Sequence, residues 1–182
     1  LVFRQSKYLG DGEAIPTWQK MGATFGSDTN AETSPIATTF KLDLPNATEA
    51  SVDESMKLLS GMMIAPTLSE KNVRTDVPIV LAEMRERGGT ASRVFDQTQE
   101  TLFAGQKLAS RAVIGTEATL NGANEGNVRA FHQRWYRPEN AVVIVVGDID
   151  PAAMEASING GTPIMPATSA EMPQSAAPPE TI

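Results

Sequence analysis

Glu83 is the residue of this 182-residue chain best placed to do chemistry. It lies in Pro78-Ile79-Val80-Leu81-Ala82-Glu83-Met84-Arg85-Glu86-Arg87, where Ile79 and Val80 precede it by four and three residues, so it borders the apolar stripe of a helix. An ionised carboxylate turned partly inward needs compensation. An arginine would satisfy it structurally; a metal ion would make it functional. Asp76 stands seven residues earlier, where an N-cap followed by Pro78 in the first turn would start the helix, with Gly88-Gly89 ending it. His132 is the only histidine, so this sequence supplies no multi-histidine metal site, and Phe131, Trp135 and Tyr136 nearby suit a packed imidazole. Cysteine is absent, which removes disulfides, thiolate chemistry and cysteine-bound zinc but leaves the compartment open.

The elements that must hold these residues fit one domain, with 41% apolar residues for its core. The net charge is −7 with acids and bases interspersed, so no basic surface for nucleic acid is expected. No apolar run reaches the length of a membrane span, and the sequence as given opens without a leader pattern. Leu1-Val2-Phe3, with no initiator methionine, gives the expectation of a chain cut from something longer.

Glu13 to Met21 has helical spacing through Ile15, Trp18 and Met21, with Pro16 in the first turn and Gly22 at the end. Ala23 to Thr33 reads as an extended polar edge, and Ile36 to Leu44 alternates apolar and polar residues, so the two should form an antiparallel pair joined near Ser34-Pro35. Asn46-Ala47-Thr48-Glu49 matches a capping box ahead of a helix whose stripe is Val52, Met56, Leu59 and Met63. A methionine stripe at this spacing reads as core. Further helices are expected over Val94 to Ala104 and from an Asn127 cap through Tyr136, ended by Pro138. Ala141 to Val146 is continuously apolar, the pattern of a central strand buried on both faces, and Gly147 to Pro151 turns into a short helix. Residues 1–158 then form the domain and 159–182 an irregular tail. Strands and helices that do not strictly alternate predict an α+β architecture, a mixed sheet with helices packed on one face.

Several of these stretches, in this order, resemble the N-terminal domain of the insulinase (pitrilysin) family of zinc metallopeptidases, which has the fold of the mitochondrial processing peptidases. Leu1 to Tyr8 resembles the segment that follows the family's inverted motif H-x-x-E-H. Met21-Gly22-Ala23, Asn30-Ala31-Glu32-Thr33 and Lys41 to Pro45 look like its first helix end and two strands. Pro78 to Arg87 looks like its third-ligand helix, and Ile114 to Glu117, Phe131 to Asn140 and Val145 to Asp148 like its later landmarks.

The resemblance implies zinc as cofactor in the intact protein, with Glu83 as one ligand beside two upstream histidines, and peptide hydrolysis by a metal-activated water. The motif's histidines and glutamate are not in this sequence, so the chain is not expected to hold zinc tightly or cleave peptides alone. Asp76 falls where the family supports its site from outside the ligand set, although Asp76-Val77-Pro78 departs from the usual glutamate-arginine pair; an N-cap is the other reading. The resemblance also implies that Asn30, Ala31 and Thr33 lie on the edge strand along which the family lays a peptide substrate; an ordinary protected edge is the other reading. The resemblance also implies a homologous second domain or partner subunit over an uncovered apolar face, and, if it is to the bacterial members, the periplasm. A non-catalytic peptide-binding or scaffold subunit of the same fold is the alternative.

Overall fold

A computed structural model describes residues 1–160. The expected tail, apart from its first residues, lies outside them. The described residues form seven α-helices, two 3₁₀ turns and one two-stranded antiparallel sheet: α1 Ala14–Lys20, β1 Thr29–Thr33, β2 Thr38–Leu42, α2 Glu49–Ile64, α3 Glu70–Arg87, α4 Thr90–Leu102, α5 Glu117–Asn121, α6 Glu125–Trp135 and α7 Pro151–Gly160. No helix among them is long and apolar enough to cross a membrane.

The first helix and the hairpin form as the residue pattern demands. α1 has Pro16 in its opening turn, where a missing N–H costs nothing, and Gly22 follows it at φ 88°, a conformation that favours glycine. β1 and β2 pair from Thr29↔Leu42 to Thr33↔Thr38, with Ser34-Pro35 in the connection. The core lies beneath them. Trp18 of α1 is 0% exposed and packs with Leu9, Ala14, Ala23, Leu58 and Met62, while Phe3 stands edge-on to Trp18 at 6.0 Å. The buried face of α2 is thus Ser55, Leu58 and Met62, one position round from the expected stripe, whose members are half-buried. Gly61 lets the opening segment approach α2: a Cβ there would sit 2.8 Å from the Tyr8 ring and 2.9 Å from the Ser6 hydroxyl.

Three starts differ from expectation, each because a nearer or earlier hydroxyl or amide reaches the free N–H groups. Thr48, not Asn46, caps α2 through Ser51. Asn124 caps α6, with Asn127 as its reciprocal third residue. α3 starts at Ser69, seven residues before Asp76, so Asp76 is not an N-cap and Pro78 lies inside the helix. A proline there removes one backbone hydrogen bond, and the helix continues through it.

The largest difference concerns residues 141–146. They form no strand, and Val142 and Val146 are 84% and 91% exposed. A strand exists only as part of a ladder, and among the described residues none pairs with this run. The α+β class stands, but the sheet here has two strands rather than the mixed sheet expected.

Candidate functional site

α3 carries both acids of interest. Asp76 and Glu83 are seven residues apart, two helical turns on one face, about 10 Å along the axis. The apolar stripe beside them runs through Val73, Val77 and Leu81, while Ile79 is exposed. Glu83 is on the surface: its side chain is 46% exposed and its Oε1 accepts from Arg87 Nη2 at 2.6 Å, one turn on. The inward acid is Asp76. Its Oδ1 takes Arg4 Nε at 2.7 Å and Nη2 at 2.5 Å, and its Oδ2 takes the Leu1 amine at 2.8 Å. Burial pushes the Asp76 carboxyl up, but hydrogen bonds from the Leu1 amine and Arg4 outweigh it and hold the group below the usual carboxylate range.

Arg4 also reaches Asp11 at 3.4 Å, so one guanidinium ties the opening turn to α3. No local pattern announces this pairing, because Arg4 and Asp76 are separated by 72 positions.

Asn30, Ala31 and Thr33 lie on β1, whose outer edge has no strand beside it among the described residues. Thr29 shows which groups face outward: its N–H donates to Thr24 and its C=O accepts from Gly26. By the alternation of an antiparallel ladder, Ala31 and Thr33 turn their backbone groups the same way. The Asn30 carboxamide covers the Ala31 N–H at 2.9 Å. This is an edge able to receive an extended chain through main-chain hydrogen bonds.

α6 is fixed against this frame by polar contacts. The Glu70 N–H donates to Glu125 and the Glu125 N–H to Glu70, so each glutamate caps the other's helix. The Glu125 backbone N–H first, then Arg74, holds Glu70 below the usual carboxylate range; Arg129, then the Glu70 N–H, does so for Glu125. A carboxylate depressed in the folded state contributes stability above its unfolded pKa and loses it as pH falls through the folded value. Acidification below the ordinary carboxylate range should therefore loosen the starts of α3 and α6, seen as lower amide protection factors there once the intrinsic pH dependence of exchange is divided out, and Glu70→Gln should weaken that acid response. Protection factors at both starts that are unchanged from neutral pH to pH 3 would contradict it.

His132 is a scaffold residue, as its aromatic neighbours suggested. Its Nε2 is 2.7 Å from the Met63 carbonyl, its ring stacks on Tyr136 at 4.7 Å, and burial pushes its pKa down despite the carbonyl contact. Burial pushes the Tyr136 phenol above its ordinary pKa.

A catalytic zinc needs three protein ligands and an open position. Among the described residues no group of three or more His, Cys, Asp or Glu side chains could hold a metal ion, and Glu83 is engaged by Arg87. The residues present do not by themselves fit the ion.

Residues 1–117 match the family described as Insulinase (Peptidase family M16), and residues 123–160 match the Peptidase M16 inactive domain. The chain belongs to the M16 peptidase family. It is 29% identical over 170 residues to the probable zinc protease PqqL of Escherichia coli, covering 93% of this chain and 18% of that protein. The crystal structure of the first half of the periplasmic protease PqqL from E. coli matches with a TM-score of 0.82 and 27% identity, over 96% of this chain and 38% of that one. The ferredoxin protease FusC in complex with Arabidopsis ferredoxin matches with a TM-score of 0.79 and 27% identity, over 94% of this chain and 19% of that one. The chain thus spans less than a fifth of the E. coli protein's length. Its relatives are zinc proteases of this family.

Proposed function

We propose that this chain is part of the N-terminal, catalytic-type domain of a zinc metallopeptidase that hydrolyses peptide bonds, with residues 1–158 as the domain. In the intact protein Glu83 supplies one carboxylate to the zinc, Asp76 supports the ligand set from outside, and β1 receives the substrate through Ala31 and Thr33 with Asn30 beside them. The single observation that carries this reading is the Arg4 guanidinium held 2.7 Å from Asp76, which brings the opening segment against the helix of Glu83. On this reading the family's H-x-x-E-H motif stands directly upstream of that segment. Release of Glu83 from Arg87 is then a requirement of ligation, at the low cost of an exposed pair.

The same frame accounts for two features that look unfinished. Val142 to Val146 would take its place in a larger mixed sheet, and exposed Phe95, Leu102, Phe131 and Trp135 would meet a second homologous domain or subunit. Periplasmic placement is proposed from the relative named as a periplasmic protease.

The match of residues 123–160 to the inactive domain gives a second reading some footing: a subunit that keeps the fold and binds peptide without cleaving it. Reading the coding sequence directly upstream of Leu1 separates the two. An intact H-x-x-E-H supports the peptidase; substituted motif residues support the scaffold. The chain as given should show neither stoichiometric zinc nor chelator-sensitive proteolysis, and a pure sample showing both would contradict the assignment of ligands.

A further inference from the structure

We propose that Glu32 makes the free edge of β1 selective for extended peptides that carry basic side chains, an inference that rests on the reading of β1 as the peptide-binding edge. Residue 32 sits in the middle of that edge strand and is exposed. Its side chain makes no hydrogen bond or ion pair among the described residues, whereas other acids nearby are engaged: Asp28 accepts from the Thr24 N–H and Asp43 holds Lys41. Lys41 is the base in register to neutralise Glu32, since it stands across from Asn30 on the same face of the hairpin. Instead its ammonium is drawn to Asp43 at 2.8 Å and to the Ser27 carbonyl at 3.4 Å. From Asp28 to Asp43 the hairpin carries Asp28, Glu32 and Asp43 against Lys41 alone, so the unmatched charge is local as well as global.

A strand laid on β1 brings its side chains to those of β1 at cross-strand spacing, close enough for opposite charges to attract and like charges to repel. Main-chain hydrogen bonds to Ala31 and Thr33 are indifferent to sequence, so Glu32, on the alternate face with Asn30, is where discrimination enters. Selection of this kind works as much by rejecting acidic peptides as by attracting basic ones.

The test is fluorescence anisotropy with two labelled twelve-residue Ser/Thr/Val peptides, one with lysine at alternate positions and the other with glutamate there. Wild type should bind the lysine peptide more tightly by about two- to fivefold per matched pair. Glu32→Gln should remove most of that preference and Glu32→Lys should reverse it. Asp53→Asn, an equal charge change on exposed α2, should leave it in place. Equal loss in Glu32→Gln and Asp53→Asn, or an unchanged preference in Glu32→Lys, would overturn the inference while leaving the edge reading intact. Ala31→Pro, checked for native circular dichroism, should abolish binding of both peptides. Undiminished binding by that variant, or no binding of either peptide by wild type, would overturn the edge reading and the inference with it. If Ala31→Pro fails to fold, protection of the Ala31 and Thr33 amides on adding the lysine peptide decides the same point.

Discussion

Trp18→Ala should destabilise the chain by about 3–5 kcal/mol, a large part of the ~5–15 kcal/mol that holds a typical domain together. Trp18 is fully buried at the meeting point of α1, α2 and the opening segment, so its removal leaves a cavity lined by Leu9, Leu58, Met62 and the edge of Phe3. Such a cavity cannot close without moving α2, which the capping box at Thr48 anchors at its far end. The indole adds a second comparison. Among the described residues its Nε1–H is buried without an acceptor, and an unmade buried hydrogen bond costs about 1–3 kcal/mol. Trp18→Phe keeps most of the apolar area and removes that donor, so it should cost much less than the alanine variant. Urea unfolding checks both: a lower midpoint at unchanged slope for Trp18→Ala, and a midpoint near wild type for Trp18→Phe. A loss in Trp18→Phe as large as that in Trp18→Ala would contradict this account.

The second large effect belongs to Glu83. In the longer protein, Glu83→Gln should weaken zinc by more than the ~10–100-fold associated with outer-shell partners, since it removes an anionic ligand while keeping side-chain size. Arg87→Ala is the informative companion. If Glu83 serves only its exposed pair with Arg87, the two variants should behave alike and change little, because such i,i+4 pairs contribute about 0.3–0.5 kcal/mol. If Glu83 is a ligand, Arg87→Ala should leave zinc binding intact or tighten it, by freeing the carboxylate. Peptide hydrolysis should follow zinc occupancy in both variants.

How far these conclusions were legible in the residues depends on the range of the interaction. Local signals served well: the α1 proline and glycine, the alternation that sets β2, the Gly88-Gly89 end of α3 and the aromatic setting of His132 all act within a few residues. Helix starts were misplaced at Asn46, Asp76 and Asn127 because several hydroxyl and amide side chains in a row are each competent to cap, and geometry chooses among them. Glu83 is expected to need an inward partner, yet Asp76 is the acid that has one, since Arg4 reaches it from 72 positions away in the chain. Hydrophobicity alone also misled at Val142 to Val146. Five β-branched residues supply strand propensity, but burial on two faces requires neighbours that the sequence pattern cannot name.

The measurement that bears most directly on the M16 peptidase assignment is zinc content of the longer protein, wild type against Glu83→Gln, by mass spectrometry of the metal after dialysis. About one tightly held ion per wild-type chain and its loss in Glu83→Gln is the expected result. Full retention of zinc by Glu83→Gln at wild-type affinity would show that the carboxylate on α3 is a surface ion-pair residue and nothing more.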